Sequence, residues 1–154
     1  MGPEKRMKPW IKIILTTALL LLIGGGIAVW LIFTEKFSDT SDRTAEFTVN
    51  AMDFIREFEK NDSSANIKYA DKIIVVNGRV SQMEAADTTI NIKMIDTISG
   101  SHIIFAFQQQ HLQEAKQLKE GDSVSIKGSC SGGVYSEILE THKIDFKRSA
   151  INKK

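Results

Sequence analysis

The most apolar stretch of the sequence runs from Ile13 to Phe33, 21 residues without one charge. At about 1.5 Å of rise per residue, a helix of that length matches a hydrocarbon core of roughly 30 Å. A helix also satisfies every backbone amide group internally, as lipid requires. Trp10 and Trp30 stand near the two ends, where aromatic side chains favour the membrane interface. The stretch therefore predicts a transmembrane helix over residues 13–33.

A cleaved secretory signal is the alternative interpretation of this stretch. Such a signal has a shorter apolar region, ~7–15 residues, that ends in small residues before the cleavage site. Here the three glycines 24–26 are followed by seven more apolar residues, which favours an uncleaved anchor.

The charges on either side of the apolar stretch predict its orientation. Basic residues precede it, namely Lys5, Arg6, Lys8 and Lys12, whereas Glu35, Lys36, Asp39 and Asp42 follow it. The positive-inside rule then predicts a cytoplasmic N-terminus, residues 1–12, and a C-terminal domain outside the cytoplasm. We expect a single-pass protein of the bacterial inner membrane whose folded domain is periplasmic.

The part of the chain after the anchor has balanced charge and the length of one domain. From Thr44 onward there are 14 Lys and Arg residues against 15 Asp and Glu residues. The absence of a basic excess weakens the case for a nucleic-acid or anionic-membrane surface. Cys130 is the only cysteine, so no intrachain disulfide can form. About 110 residues suffice for one hydrophobic core but not for two.

The first half of this domain has helical periodicity. Residues 34–46 are mostly polar and predict a linker. From Thr48 to Lys60, apolar side chains recur on one helical face. We expect Ser63 or Ser64 to cap a second, short helix that ends near Tyr69.

The periodicity then changes to two, which is typical of strands with one buried face. The alternation predicts five strands, near residues 74–80, 90–94, 103–107, 124–130 and 138–146, and a helix over 109–118 between the third and the fourth. Gly78 and Gly128 would permit sharp bends or close backbone approach. This order is that of the OB-fold barrel. The predicted class is mainly β with helices (α+β), with the domain over 47–146 and a polar tail over 147–154.

Several segments resemble a known family. Glu59–Tyr69 (EKNDSSANIKY), Lys72 and Val76–Val80 (VNGRV) resemble the opening of the bacterial tRNA_anti-like family of OB-fold proteins. Leu118–Gly128 (LKEGDSVSIKG) and the following Cys130-Ser131-Gly132 resemble its later part. The resemblance covers Phe47 to Phe146. It implies an OB barrel, often behind a membrane anchor or a lipoprotein signal. By analogy with the anticodon-binding domains of aminoacyl-tRNA synthetases, it also implies nucleic-acid binding.

A nucleic-acid-binding OB face needs exposed aromatic side chains for stacking and a basic groove along the phosphates. Phe105 and Phe107 share a strand face, but they alternate with small or polar residues as core positions do, so the core is the favoured place for them. The residues predicted as a possible ligand face are Tyr69, Arg79, Lys93 and Lys127.

No catalytic or metal-binding pattern stands out in the sequence. His111 and Glu114 could present two ligands on one helical face, but a zinc site needs three or four. Cys130 continues the buried phase of Val124 and Ile126, where a free cysteine acts as a small hydrophobic residue. The G-x-S-x-G, Walker and G-x-G-x-x-G patterns are absent. We therefore expect neither an enzyme nor a cofactor nor a metal.

The sequence thus favours a membrane-anchored OB-fold binding module outside the cytoplasm. Its partner would be a protein or another envelope component of unknown identity. The alternative is an OB-fold protein that binds single-stranded nucleic acid.

Overall fold

The computed structural model describes residues 8–34 and 39–153 of the chain, which divides into two compact units, Met1–Phe37 and Ser38–Lys154. The first unit contains helix α1, Pro9–Thr34. It begins four residues before the predicted span, since proline suits the first turn of a helix. By length and composition, the segment Pro9–Trp30 could cross a membrane.

The side chains of α1 as described are not covered by protein. Leu22, for example, is 74% exposed. The hydroxyl groups of Thr16 and Thr17 donate to the backbone carbonyl of Ile13, at 2.9 Å in both cases, so they need no water. The two threonines therefore satisfy their hydroxyl groups within the helix, whose surface beyond Lys12 is mainly apolar.

The described part of the second unit contains seven strands and three α-helices. Two short 3₁₀ turns, Thr40–Asp42 and Gln109–His111, accompany them. The elements follow in the order β1 Phe47–Asn50, α2 Ala51–Lys60, α3 Asp62–Tyr69, β2 Ile73–Arg79, β3 Gln82–Ala85, β4 Ile90–Ile95, β5 His102–Phe107, α4 Leu112–Ala115, β6 Ser123–Ser136 and β7 Thr141–Ile151.

The strands form one sheet in the order β1-β2-β6-β7-β5-β4-β3. Only Val80 and Ser81 separate β2 from β3, yet β2 pairs with β6 and β3 pairs with β4. The backbone amide of Val80 donates to Asp122 at 2.9 Å, next to β6, and that of Ser81 donates to Lys93 on β4 at 2.8 Å. The sheet therefore curls into a barrel in which β2 and β3 act as one broken strand, as in an OB-fold.

The predicted number of strands was wrong, because the structure has seven rather than five. β3 lies largely exposed and lacks the apolar alternation that reveals a strand with one buried face. β1 occupies the predicted start of the first helix and pairs in parallel with β2. The helix begins later, at Ala51, because the side-chain oxygen of Asn50 accepts the amide hydrogen of Met52 at 2.9 Å.

The last two strands also differ from the prediction. β6 passes through Gly132 and Gly133 rather than turning there, with a register shift between Cys130 and Gly132. Gly132 has φ +99°, which an L side chain rarely adopts, so the glycine permits a bulge. The turn comes at residues 137–140 instead, and β7 extends to Ile151. The predicted polar tail from residue 147 is thus mostly strand, because Ala150 is fully buried within it.

The smaller helices also follow different boundaries. Asn61, rather than Ser63 or Ser64, caps α3, and its side-chain oxygen accepts the amide hydrogen of Ser64 at 2.9 Å. The helix predicted over 109–118 is a 3₁₀ turn followed by the single turn α4, in which Ala115 is the buried residue.

Helix α2 packs into the barrel through aromatic side chains. The ring of Phe54 lies 4.8 Å from that of Tyr69 and 5.9 Å from that of Phe146 on β7. A Cβ atom at Gly78 would lie 2.7 Å from the Cβ of Ala51, and one at Gly133 would lie 2.6 Å from Phe58. These glycines let α2 approach the strands closely, so the close approach predicted at Gly78 is confirmed.

The chain reaches the barrel through residues 39–46, here named the leading segment. The Asp39 carboxylate bonds Nε2 of His111 at 2.8 Å. The ammonium group of Lys127 donates to the backbone carbonyls of Ser41 and Arg43, each at 3.0 Å. Two side chains from separate strands or turns therefore hold this segment against the barrel.

Burial raises the pKa of Asp39, but the hydrogen bond from His111 and those from Ser41 and Gln110 outweigh it. Their net effect holds that pKa well below its ordinary value of 3.8. A carboxyl group with a lowered pKa stabilises the fold above its ordinary pKa, and this contribution is lost as the pH falls below it.

We therefore expect Asp39→Asn to lower the free energy of unfolding at pH 7 by about 1–2 kcal/mol. The difference from the parent chain should shrink as the pH falls below about 4, because Asp39 of the unfolded parent then takes up a proton that the folded parent binds only at lower pH. Thermal unfolding of the full chain in detergent, followed by circular dichroism from pH 7 to 2.5, measures this difference. Asp42→Asn is the matched control, since Asp42 is exposed, and an equal loss there would contradict the assigned contact.

Candidate binding surfaces

Tyr69 lies in the interior, beneath α2, and is 1% exposed. Its hydroxyl donates to the Glu57 carboxylate at 2.9 Å, and the ammonium group of Lys68 donates to the same oxygen at 3.0 Å. Burial, reinforced by Glu57, raises the pKa of Tyr69, so its hydroxyl stays a donor. Tyr69 thus joins α2 and α3 to the core.

The three predicted cations lie at different places on the barrel. Lys127 is engaged by the leading segment. Lys93, on β4, forms an ion pair with Glu84 of the adjacent β3 and is 18% exposed. Arg79, at the end of β2, is exposed, and among residues 8–34 and 39–153 no carboxylate forms an ion pair with it. The structure therefore does not bring Tyr69, Arg79, Lys93 and Lys127 together on one surface.

The outer face of β4 and β5 presents no Phe, Tyr or Trp ring among the residues that the structure describes. Phe105 and Phe107 are 0% and 8% exposed and point into the core, so their predicted core position is confirmed. The outward positions of β5 are instead His102, Ile104 and Ala106. Stacking of bases needs exposed rings, so this face has no ready platform for them.

The residues weighed for redox or metal chemistry have structural partners. Cys130 is fully buried, and burial raises the pKa of its thiol to about 11, so the prediction of a buried hydrophobic role is confirmed. His111 is bonded to Asp39, and Glu114 pairs with Lys153 at 2.6 Å. Within the described ranges, no group of three or more His, Cys, Asp and Glu side chains is arranged to hold a metal ion.

An exposed apolar tip stands at one end of the barrel. In the β6–β7 turn, Ile138 and Leu139 are 94% and 67% exposed, and Ile98 in the β4–β5 turn is 91% exposed. The two turns are neighbours, because the hydroxyl of Ser101 accepts the amide hydrogen of His142 at 3.1 Å. We call Ile98, Ile138 and Leu139 the apolar tip. The apolar tip was not predicted, because Ile138 was assigned to a strand. Ile98, a lone isoleucine in a polar turn, was the signal in the sequence that could have indicated it.

A second surface is a polar groove where β1, β2 and β6 lie side by side. It is an open cavity of about 640 Å³ on the protein surface. Besides Gly78 and Val124, its lining consists of the polar side chains Asn50, Asn77, Arg79, Ser123, Ser125 and Asn152. Of the four residues predicted for a ligand face, Arg79 alone lines it.

Comparison with solved structures supports the fold. A candidate nucleic acid-binding lipoprotein from Klebsiella pneumoniae subsp. pneumoniae matches with a TM-score of 0.54 and 16% identity, covering 68% of this chain and 91% of its own. An OBody bound to hen egg-white lysozyme matches with a TM-score of 0.41 and 20% identity, over 56% of this chain and 88% of its own. A candidate aspartyl-tRNA synthetase from Leishmania major Friedlin matches with a TM-score of 0.44 and 10% identity, over 79% of this chain and 22% of its own.

Of two sequence comparisons, the one with protein families gives a match that agrees with the first of these likenesses. No curated protein matches the sequence. The tRNA_anti-like family matches it over residues 3–143, which include every strand from β1 to β6 and the start of β7. Because that match spans most of the sequence and the barrel has the strand connections of an OB-fold, the chain belongs to the tRNA_anti-like family.

Proposed function

We propose that this chain is a membrane-anchored, non-enzymatic OB-fold module that binds a protein partner through its apolar tip. The anchor would be α1, whose apolar side chains need a lipid environment because no described part of the protein covers them. The basic residues before it and the acidic residues after it favour a barrel outside the cytoplasm of a bacterial cell.

A binding role is favoured because the reactive side chains already have structural partners. Cys130 is buried, Tyr69 bonds Glu57, and His111 bonds Asp39. Catalysis would require such groups to meet a substrate in a shared cleft. Among the surfaces that remain open are the apolar tip and the polar groove.

The exposure of Ile98, Ile138 and Leu139 at one end of the barrel is the observation that carries the proposal. Exposing three large aliphatic side chains to water costs free energy that a partner would recover on burying them. Two exposed carboxylates, Glu137 and Glu140, flank the aliphatic pair of the β6–β7 turn. This charge pattern fits an apolar pocket of a protein with basic residues at its rim.

A bilayer is a poorer occupant of the apolar tip. Anionic headgroups would repel Glu137 and Glu140. The leading segment bonds His111, which follows β5, whereas the tip adjoins the start of β7. β7 runs from one to the other, so the tip and the leading segment lie towards opposite ends of this strand.

Binding of single-stranded nucleic acid is the alternative. The likeness to a candidate nucleic acid-binding lipoprotein favours it. Weighing against it are the pairing of Lys93 with Glu84 and the lack of exposed rings on the described β4–β5 face. Protein binding therefore remains the preferred function.

The orientation can be tested with alkaline phosphatase fused after Lys154. We expect the fusion to be active in a bacterial host, because this enzyme folds only where its disulfides can form. The matched control reverses the flanking charges by replacing Lys5, Arg6, Lys8 and Lys12 with glutamate. If the parent fusion is present at the same level as the control but is inactive, the barrel lies in the cytoplasm and the proposed location is wrong.

The apolar tip can be tested by photo-crosslinking of the full chain in intact cells. With p-benzoyl-phenylalanine in place of Ile138 or Ile98, we expect adducts to one and the same protein, identified by mass spectrometry. The control position is Ile67 on α3, which is 86% exposed and lies outside the tip. Leu139→Ser should weaken the affinity of the full chain for that purified protein at least tenfold and leave the thermal unfolding of the chain unchanged. Equal adducts from Ile67, or adducts to lipid alone, would refute the proposed role of the tip.

The nucleic-acid alternative predicts binding that depends steeply on salt. A fluorescent oligonucleotide of 20 nucleotides is titrated with the full chain at 20 and 200 mM salt. If the alternative is correct, the affinity should fall by more than tenfold between these concentrations, because phosphate contacts release counterions. Absence of binding at 20 mM salt, which we expect, would exclude it.

A further inference from the structure

The polar groove is built by neighbouring positions on three strands. In the register of the sheet, Asn77 of β2 is the partner of Asn50 on β1 and of Ser125 on β6. Arg79 and Ser123 form the next pair on the same face. Directly opposite residues in a sheet lie about 5 Å apart, so these side chains are neighbours on the outer surface of the sheet.

The backbone fixes these side chains on the outside of the barrel. Ile74 and Val76 of β2 are fully buried, so Asn77 and Arg79 lie two apart on the outward face. Gly78 between them faces inward, against Ala51 and Met94. Asn152 completes the groove, since its backbone amide donates to the carbonyl of Ser125 at 2.8 Å.

Among the described residues that line the groove, Arg79 is the only charged one. Several other cations of the barrel have acceptors: Lys68 has Glu57, Lys72 has Glu46, Lys93 has Glu84, and Lys127 has two carbonyls. Within the described ranges Arg79 has no such ion pair, and its planar guanidinium suits two-point binding of a carboxylate or phosphate. The groove therefore has one unneutralised positive charge with a geometric preference for oxyanions.

The other side chains of the groove are neutral and can both donate and accept hydrogen bonds. The side-chain oxygen of Asn50 is used by the amide of Met52, which leaves its NH₂ group as a donor. Asn77, Ser123 and Ser125 add further amide and hydroxyl groups. Amides and hydroxyls beside one arginine match a ligand with several hydroxyl groups next to one anionic group.

We propose that this groove binds a small polyol oxyanion, a sugar or polyol that carries one phosphate or carboxylate group. Arg79 binds the anionic group, and the Asn and Ser side chains bind the hydroxyls. The groove is an open depression of about 640 Å³, large enough for a small ligand to contact Arg79 and the Asn and Ser side chains together. The site is separate from the apolar tip, because Ser125 and Ser136 lie at opposite ends of β6, roughly 35 Å apart.

The full chain, labelled with ¹⁵N and held in phosphatidylcholine nanodiscs, tests this proposal by NMR titration. Glycerol 3-phosphate and glucuronate are the probes, and glycerol and inorganic phosphate are the partial ligands. We expect both probes to shift the amide signals of Asn77, Ser123 and Ser125, with affinities at least tenfold above those of either partial ligand. Nanodiscs that contain phosphatidylglycerol distinguish a lipid source, which would shift these signals without added probe, from a soluble one.

Two variants separate the groove from general surface charge. Arg79→Gln should weaken binding of both probes at least tenfold, whereas Arg56→Gln should not, since Arg56 is an exposed arginine on α2 outside the groove. Asn77→Ala should weaken the binding of both probes severalfold and that of inorganic phosphate little, because it removes contacts with the hydroxyl groups of the probes. Equal losses from Arg79→Gln and Arg56→Gln, signal changes outside the groove, or no binding at millimolar probe would each overturn the proposal.

Discussion

The barrel depends on a change of hydrogen-bonding partner between Val80 and Ser81. Up to this point the chain pairs with β6, and immediately after it the chain pairs with β4. Since β7 and β5 lie between β6 and β4 in the sheet, this one change of partner closes the sheet into a barrel. The turn that precedes β6 secures the crossing, because the amide of Gly121 donates to the Val80 carbonyl at 2.7 Å.

Closure determines which surfaces are left for function. The interior is packed with apolar side chains, with Phe54 and Phe58 entering from α2, so the exposed surfaces are the ones left for binding. Outside, Lys127 is engaged by the leading segment and Lys93 by Glu84. Lys127 and Lys93 are therefore held by partners within the barrel, whereas Arg79 is left without an ion pair among the described residues.

Periodicity predicted the parts of this molecule in which burial determines the pattern. The alternating residues of β4 and β5, the buried Cys130 and the apolar α1 all followed from it. β3 did not, because a strand held by backbone pairing with both faces largely exposed leaves no apolar pattern. The length of β6 was not predicted either, because Gly132 and Gly133 resemble a turn in the sequence. In the structure, the side-chain amide of Asn66 bonds both the NH and the carbonyl of Gly133 and holds it in the strand.

The candidate surfaces were harder to predict than the fold. Charge type alone grouped Arg79 with Lys93 and Lys127, but which cation remains unpaired depends on neighbours that are distant in sequence. Glu84 is close to Lys93 only through strand pairing, and Ser41 reaches Lys127 across 86 positions. The groove around Arg79 likewise depends on the register of three strands, which periodicity does not specify.

The fastening of the leading segment has a mechanical consequence. Asp39 and Lys127 hold residues 39–43 before the chain enters β1, a short strand paired along a single edge. Tension applied to the chain ahead of residue 39 would act on these bonds first and would not stretch the pairing of β1 with β2. The force would reach the core only after these bonds had broken, so the leading segment would protect the barrel against tension on the chain.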